Sequence, residues 1–407
     1  MPAKRLFLSV THAAHSDART GIQTTVRGLV GGLERQIGSS LRLVTWTPRD
    51  GAFTSLPASR RAHLGATHAE SRFLPLRSLA HPTHRRLWFQ TAGRAHRAPL
   101  HLHPEQQHTL EGNWLVLPEI MYHGVAPASI AYARDRGMRV AAIFHDAIPL
   151  THPQFVRADA VEYHREYLGA LCRADVVLAV SQNAAEAFAA QARACGFSIP
   201  ALHAHLEPGE IIGHPRTGGR PARGNGPVRI LCVSTLEPRK NHVTLLAAFD
   251  ALCASHPTLN VQMDIVGDTY PGSSDLAEMV REASQRNARI RWHGKVSPGN
   301  LIQHYRACNF TVYPSILEGF GLPIGESLWL GQPCICADFG AMAEVASGGG
   351  CLMVDVRKPQ SLTAAMLALA TDESLHQRLS QEATDRKLRT WDDYAGGLCE
   401  FLRAHQE

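Results

Sequence analysis

Two glutamates bracket a glycine-rich turn in the segment PSILEGFGLPIGES. Glu318 and Glu326 lie eight positions apart, with three glycines and a proline between them. Eight residues make a little over two helical turns, but glycine is costly inside a helix and proline suits a first helical turn. We therefore predict a turn that leads into a helix. Carboxylates placed there could accept hydrogen bonds from the paired hydroxyl groups of a sugar or a ribose.

A second candidate site follows the apolar run VRILCVST. In TLEPRKNHVTLL, Arg239 and Lys240 lie where a strand is expected to end, and Asn241 could cap the next helix. Two cations beside a helix N-terminus would form an anion site, since arginine binds phosphate oxygens bidentately and lysine supplies a compact charge. A solvated basic turn is the alternative that these residues alone leave open.

The carboxyl half of the chain must position both segments. Short apolar runs alternate there with helical patterns such as NHVTLLAAFDALCASH, which predicts a parallel sheet with helices on both faces. The two candidate sites occupy equivalent strand-to-helix turns. The predicted strands of this half are 228–235, 261–267, 289–294, 309–315, 333–338 and 350–356.

The amino half shows a less regular version of the same alternation. We predict strands at 5–11, 41–47, 113–120, 139–146 and 175–181, and helices at about 22–37, 127–136, 159–173 and 182–195.

The fold class that follows is α/β, with two Rossmann-like, doubly wound parallel-sheet domains. The first is expected to span 1–213 and the second 228–388, joined by a Gly-, Pro- and Arg-rich linker at 214–227. Two such sheets usually leave a cleft at the carboxyl ends of their strands, where open α/β folds bind ligands.

Composition limits the class of protein. The chain has 407 residues, of which 44% are apolar and 19% charged, as in ordinary globular proteins of two domains. Its nine cysteines show no CxxC pair, so we expect reduced, buried thiols in a cytosolic protein. We find no secretory signal and no apolar run long enough to span a membrane.

Positive charge is concentrated in one segment. The net charge is +5, yet residues 60–110 contain eight arginines and eight histidines against two glutamates. The segment could be a solvated loop or a basic face for anionic lipid headgroups, a lipid-linked phosphate or a glycan. Nucleic acid is a weaker alternative, because no recognition motif accompanies the charge. HLHPEQQH lacks the carboxylate or thiol cluster that would complete a metal site.

EPRKN followed by PSILEGFGLPIGE resembles the retaining nucleotide-sugar glycosyltransferases of GT-B architecture, whose two Rossmann-like domains face a cleft. A Glu, seven residues and a second Glu form their defining motif, and the likeness covers most of 228–356. The resemblance implies that Arg239 and Lys240 hold the donor diphosphate. It also implies that Glu318 contacts the transferred sugar and that Glu326 contacts the nucleotide ribose.

The same resemblance assigns further positions. ARTGIQTTVRGLV looks like the family's glycine turn, so Gly21 would face the diphosphate. FHDAIPLTHPQF resembles the active-site segment of mannosyl- and rhamnosyl-type enzymes, which places His145 near the reacting sugar and lets Asp146 orient His145 or bind the acceptor. RTWDDYAGGLCEFL looks like a terminal helix, at about 389–405, that packs back on the first domain. The backbone amides expected to bind sugar or phosphate are those of Gly319, Phe320, Gly321 and Leu322.

The activity implied is retaining, metal-independent glycosyl transfer, with no cofactor or metal and no nucleic-acid partner. Its catalytic residues would be His145, Glu318, Arg239 and Lys240, the cations stabilising the leaving diphosphate. GDP-mannose or a related GDP-deoxysugar is favoured as donor. The acceptor would be a glycan or lipid-linked glycan in bacterial-type polysaccharide or O-antigen assembly. We expect a cytoplasmic protein with peripheral membrane contact through 60–110.

Three alternatives stay open at this point. A UDP-sugar-dependent glycosyltransferase would have the same fold and the same donor-binding residues. A sugar-nucleotide epimerase would need a further acid/base cluster beside His145 and Asp146. A non-catalytic nucleotide-sugar-binding protein would not need both glutamates together with the Arg-Lys pair.

Overall fold

The structure is a computed structural model. It describes residues 5–16, 20–57, 60–61, 64, 110–217 and 226–405. The chain divides into two compact units, Met1–Glu207 with Trp391–Glu407, and Pro208–Thr390. The basic segment 60–110, with HLHPEQQH, lies almost entirely outside the described residues.

The first unit is built on a seven-stranded sheet with the order β3-β2-β1-β4-β5-β6-β7. Six of its strands are parallel, but β3 pairs antiparallel with β2, so the sheet is mixed rather than all-parallel as predicted. Its strands are β1 (Leu6–Ser9), β2 (Leu41–Thr47), β3 (Ala52–Ser55), β4 (Trp114–Leu117), β5 (Arg139–Phe144), β6 (Val176–Ala179) and β7 (Ala201–Ala204).

Two strands of this sheet escaped prediction because neither is a long apolar run. β3 returns from β2 through a tight turn, and its Phe53 packs edge-on against Trp46 with ring centroids 5.0 Å apart. β7 is a short edge strand whose side chains are exposed or half-buried. Edge strands of this kind lack the buried character that identifies the central strands.

The helices of the first unit are α1 (Gly21–Ile37), α2 (Val125–Arg134), α3 (Ile148–Thr151), α4 (Ala158–Leu171), α5 (Gln182–Ala194) and the terminal α13 (Trp391–Ala404). Helix α13 packs against α1. A Cβ on Gly28 would lie 2.1 Å from the Trp391 ring and one on Gly32 2.4 Å from the Trp391 carbonyl oxygen. The two helices therefore depend on glycine for their close approach.

The second unit has a six-stranded parallel sheet with the order β10-β9-β8-β11-β12-β13. Its strands are β8 (Val228–Val233), β9 (Val261–Val266), β10 (Ile290–Trp292), β11 (Phe310–Tyr313), β12 (Cys334–Ala337) and β13 (Cys351–Val354). Its helices are α6 (His242–Ser255), α7 (Ser274–Arg286), α8 (Pro298–Ala307), α9 (Leu322–Trp329), α10 (Gly340–Ala346), α11 (Pro359–Thr371) and α12 (Glu373–Asp385). Each strand predicted for this half contains an observed one.

The segment before the second sheet packs onto this unit. The indole N–H of Trp329 donates to the carbonyl of His214 at 2.8 Å, and the N–H of Thr217 donates to the carbonyl of Trp329 at 3.3 Å. The units divide after Glu207, six residues before the predicted boundary, because residues 208–217 make their contacts here. Of the predicted linker, residues 218–225 lie outside the described residues. No helix in the described ranges is both long enough and apolar enough to cross a bilayer.

Candidate functional site

The turn after β8 presents two basic side chains at the carboxyl edge of the second sheet. Pro238–Lys240 form one turn of 3-10 helix, and Asn241 adopts a left-handed conformation with φ of 60° before α6 begins. The side chain of Asn241 does not cap α6 as predicted. Its amide oxygen accepts a hydrogen bond from the Thr244 hydroxyl at 2.6 Å, and its amide nitrogen donates to the carbonyl of Val356 at 2.9 Å.

The turn after β11 meets the turn after β8, because β8 and β11 are neighbouring parallel strands. The N–H of Ile316 donates to the carbonyl of Arg239 at 2.9 Å. The carboxyl ends of parallel strands share one edge of a sheet. Two segments almost eighty residues apart are thereby joined into one site.

Glu318 lies between the two cations. Its Oε2 accepts a hydrogen bond from Nη1 of Arg239 at 2.6 Å, and its Oε1 accepts one from Nζ of Lys240. The hydroxyls of Tyr313 and Ser315 also donate to Oε1, each at 2.6 Å. Both carboxylate oxygens of Glu318 are thus engaged by protein donors, and its side chain is only 9% exposed.

These contacts fix the charges. Burial opposes ionisation of Glu318, but Arg239 and Lys240 hold the pKa of this carboxyl well below its ordinary value. Burial lowers the pKa of Lys240, and Glu318 opposes that shift. Arg239 also pairs through Nε with Glu237 at 2.9 Å. The cluster is therefore a buried network in which each cation is paired with a carboxylate.

Several hydrogen-bond donors in and beside this cluster have no protein acceptor in the part of the chain that the structure describes. Arg239 uses Nε and Nη1 for Glu237, Glu318 and the Leu317 carbonyl, and its Nη2 has no acceptor among the described residues. Within those ranges, the N–H groups of Phe320 and Gly321 also donate to no protein acceptor. Gly321 has φ of 123°, a conformation that favours glycine. Donors without protein partners beside a helix start are suited to an anion.

Glu326 lies one turn inside α9 and is held by a different partner. Its Oε2 accepts a hydrogen bond from the Tyr305 hydroxyl at 2.7 Å. Burial raises the pKa of Glu326, against the effect of that hydrogen bond. Helix α9 approaches the backbone at Gly209 closely, since a Cβ on Gly325 would lie 2.6 Å from the Gly209 Cα. The glycine next to Glu326 thus fixes the position of the helix that carries it.

In the first unit, His145 follows β5 and is buried. Its Nε2 lies 2.8 Å from the carbonyl oxygen of Pro118. A carbonyl only accepts, so the hydrogen bond assigns a hydrogen to Nε2 and leaves Nδ1 as the basic nitrogen of the neutral ring. That Nδ1 lies 3.9 Å from Oε1 of Glu207. The hydrogen bond to Pro118 therefore orients His145, and Glu207 lies beside its other ring nitrogen.

Glu207 also reaches the start of α1. Its Oε1 accepts a hydrogen bond from the Thr25 hydroxyl at 2.6 Å, and that hydroxyl lies 3.0 Å from the carbonyl oxygen of Gly21. Burial raises the pKa of Glu207, while His145 and Thr25 act in the opposite direction. One buried carboxyl group thus connects the predicted histidine with the predicted glycine turn.

Asp146 uses its side chain locally. Its Oδ1 accepts a hydrogen bond from the N–H of Ile148 at 2.9 Å, at the start of α3. Its backbone carbonyl lies 3.0 Å from Nε2 of His164. The proposal that Asp146 orients His145 is therefore corrected: within the described ranges the carboxylate facing that ring belongs to Glu207.

A second buried carboxyl group, Glu119, follows β4. It accepts hydrogen bonds from the N–H groups of His12 at 2.8 Å and Ala13 at 2.6 Å, which fixes the loop after β1. Burial raises the pKa of Glu119 to about 7, although both amides and Arg27 favour its charged form.

Comparison with known proteins shows what the second unit is similar to. Residues 220–386 match the family model described as glycosyl transferases group 1. Solved structures extend the likeness to the fold of the whole chain. HepE of Anabaena, in complex with UDP and glucose, has a TM-score of 0.62 and 15% identity over 98% of this chain and 100% of that chain. Sucrose-phosphate synthase of Thermosynechococcus elongatus has a TM-score of 0.65 and 17% identity over 99% of both chains. The chain has the GT-B fold.

Curated relatives match a shorter region. O-antigen chain mannosyltransferase B of Escherichia coli is 32% identical over 35% of this chain and 37% of its own length. Serotype-specific mannosyltransferase WbdA of Escherichia coli is 33% identical over 28% of this chain and 14% of its own length. D-inositol 3-phosphate glycosyltransferase of Corynebacterium glutamicum is 30% identical over 38% of this chain and 37% of its own length. The matches span between 14% and 37% of the length of these relatives.

Sequence reasoning missed several residues that complete the two clusters. In the second unit, Tyr313 and Ser315 lie beside the motif, and their hydroxyl groups were a usable signal. Glu237 lies in the quoted EPRKN segment but was assigned no contact. Tyr305 and Glu207 gave no local signal, because each meets its partner only through the folded sheet.

Proposed function

We propose that this protein is a retaining glycosyltransferase that moves mannose or a related deoxysugar from a GDP-sugar onto a glycan or lipid-linked acceptor. The observation that carries the proposal is the Arg239–Glu318–Lys240 network with its unused donors. Nη2 of Arg239 and the amides of Phe320 and Gly321 supply hydrogen bonds of the kind that phosphate oxygens accept. The match to group 1 glycosyltransferases supports the reaction class.

The role of Glu318 follows from its contacts. Both of its oxygens are engaged, so we assign it the positioning of Arg239 and Lys240. The cations would then be preorganised against the charge that develops on the leaving diphosphate, which lowers the barrier without reorganisation. Glu326, held by Tyr305, remains the proposed partner of the ribose hydroxyls.

His145 and Glu207 are proposed to act near the sugar. His145 donates from Nε2 to the Pro118 carbonyl, which fixes the ring with Nδ1 facing Glu207. An imidazole beside a carboxyl group can share a proton with it, so we assign the pair a positioning and electrostatic role near the sugar. Retention would follow if the acceptor attacks from the face that the diphosphate leaves, with the phosphate taking the acceptor proton.

The donor preference rests on relatives. Two relatives from Escherichia coli are named mannosyltransferases, which favours a GDP-sugar. A UDP-sugar is the second candidate, because HepE of Anabaena was solved with UDP and glucose. We further propose that transfer needs no divalent metal, because the two cations supply the positive charge. Peripheral membrane contact through 60–110 is also a proposal.

Thermal unfolding with GDP, UDP and ADP at matched concentration tests the donor. A nucleotide at a hundred times its dissociation constant adds about 2.7 kcal/mol to the free energy of unfolding. We expect GDP to stabilise the protein most, with and without a chelator, and expect GDP-mannose to be consumed when a glycan acceptor is added. Stabilisation by UDP alone would replace the donor, and no response to any nucleotide would contradict the proposed function.

A further inference from the structure

Three side chains that ligate transition metals converge on the second sheet at a place where the proposed reaction does not use them. Asp264 lies in the middle of β9, His293 directly follows β10, and His304 lies in α8. One ligand atom from each lies within 4.8 Å of the others. Asp264 is two residues before the carboxyl end of β9, and the carboxyl edge of this sheet carries the Arg239 network.

The strand register explains why these residues meet. Asp264 lies opposite Arg291 in the β9–β10 pair, so His293, two residues further on, projects from the same face of the sheet. Helix α8 covers that face, since Ile302 and Tyr305 belong to the apolar cluster that includes Val266 of β9. The helix thereby places His304 next to Asp264 and His293 on that face.

The geometry is close to that of a ligand set. Nε2 of His293 lies 2.6 Å from Oδ1 of Asp264, and the rings of His293 and His304 have centroids 4.4 Å apart. Asp264 is buried, whereas the side chain of His293 is 30% exposed, which leaves access for an ion and for water. Arg229 of β8 places a positive charge near His304, which would repel a bound cation. The negative charge of the Asp264 carboxylate opposes that repulsion.

We propose that Asp264, His293 and His304 bind a divalent transition-metal ion of the zinc class. Two imidazole nitrogens and one carboxylate oxygen form a common ligand set for such ions, and water would complete the coordination. The ion would replace the hydrogen bond between His293 and Asp264 and fasten α8 to the edge of the sheet. Tyr305, the residue after His304, donates to Glu326. The metal would thus stabilise α8, the helix whose Tyr305 holds the Glu326 carboxyl group. This effect does not depend on which reaction the protein performs.

Zinc binding to the full chain tests the site. The protein is stripped with a chelator and titrated with Zn²⁺ against a chromophoric competitor, and thermal unfolding is measured with and without Zn²⁺. Since the histidines of 60–110 also offer ligands, the measurement compares variants. His293→Gln and His304→Gln remove one ligand each, and His256→Gln removes an exposed histidine of the same unit that lies outside the cluster.

We expect the wild type and His256→Gln to bind one Zn²⁺ equivalent that both ligand variants bind more than about tenfold more weakly. Zn²⁺ should raise the unfolding temperature of the first two proteins more than that of the ligand variants. Substitution of Co²⁺ should give visible absorption of tetrahedral intensity in the wild type and in His256→Gln, and should not do so in His293→Gln or His304→Gln. Equal Zn²⁺ stoichiometry and affinity in all four proteins would overturn the proposal.

Discussion

Glu318 and Glu207 are both buried carboxyl groups beyond the carboxyl end of a strand, yet their surroundings give them opposite properties. Glu318 follows β11 and lies between Arg239 and Lys240, which hold its pKa far below the ordinary value against the effect of burial. Glu207 follows β7 and faces a hydroxyl and an imidazole, so burial raises its pKa. Burial raises the pKa of both carboxyl groups, and their partners decide the direction of the net shift.

The difference separates two kinds of chemistry. A carboxylate fixed between two cations cannot exchange protons at physiological pH, but it can hold those cations for an anionic ligand. A carboxyl group of raised pKa beside an imidazole can share a proton with it. On the function proposed above, the network of the second unit would bind the diphosphate, and the pair in the first unit would hold a shared proton near the sugar.

The largest effect is expected from a substitution that breaks the charged network around Glu318. Glu318→Gln leaves Lys240 buried without its carboxylate and leaves Arg239 with Glu237 alone, so we expect a loss of about 3 kcal/mol in the free energy of unfolding. Urea denaturation measures it. Glu278→Gln is the matched control, because Glu278 forms an exposed ion pair with Arg281 and its loss should have little effect. Equal stability of the two variants would mean that Glu318 does not hold a buried network.

A smaller loss is expected in nucleotide affinity when one cation is removed. Lys240→Met keeps the apolar part of the side chain and removes the charge, while Arg239 continues to pair with Glu318. A hydrogen bond to a charged group contributes about 2 kcal/mol, so we expect GDP to bind roughly thirtyfold more weakly. Calorimetry measures the Kd, with the exposed Lys358→Met as control. Unchanged affinity in Lys240→Met would remove its assigned role.

Turnover should fall about tenfold in Glu207→Gln, with little change in the KM for the donor. The amide still accepts a hydrogen bond from Thr25 but no longer titrates beside His145, so the pH dependence of kcat should also change. Thr25→Val provides the control, because it removes the hydroxyl contact and keeps the carboxyl group. An identical effect of both variants on kcat and its pH profile would show that Glu207 only fastens α1.

The sequence was sufficient to predict that Arg239, Lys240 and Glu318 lie at one edge of the sheet, because each follows directly after a recognisable strand. Arg239, Lys240 and Glu318 each follow an apolar strand, and equivalent turns of neighbouring parallel strands must meet at one edge. Even so, the number of donors that converge on Glu318 depends on side-chain directions that no pattern reveals. The sequence places the motif and the strands but not the hydrogen bonds.

The first unit was harder to predict for a physical reason. β7 is short and half-exposed, so neither the strand nor the position of Glu207 at its end could be predicted. Glu119 was included in a predicted strand at 113–120, but β4 ends at Leu117 and places the carboxyl group in a turn. The Asp264, His293 and His304 cluster likewise depends on the register of β9 with β10 and on the placement of α8.

The smallest expected effect concerns pH. The pKa of Glu119 is raised to about 7 from an ordinary 4.5, so the unfolded chain releases this proton first as pH rises. Its contribution to stability is full below pH 4.5 and is lost as pH rises through about 7. Between pH 6 and 7 the loss should be about 1 kcal/mol. Glu318 has the opposite sign, since its contribution is lost only as pH falls below the ordinary carboxyl range.

Native-state hydrogen exchange of the β1 and β4 amides measures this change, after correction for the intrinsic exchange rates. Other groups of the first unit also titrate, so the comparison is between the wild type and Glu119→Gln. The wild type should lose protection from pH 6 to pH 7, and the variant should lose about 1 kcal/mol less. If both lose the same amount, Glu119 is not the titrating group, and the contrast between the two units would have to rest on Glu207 alone.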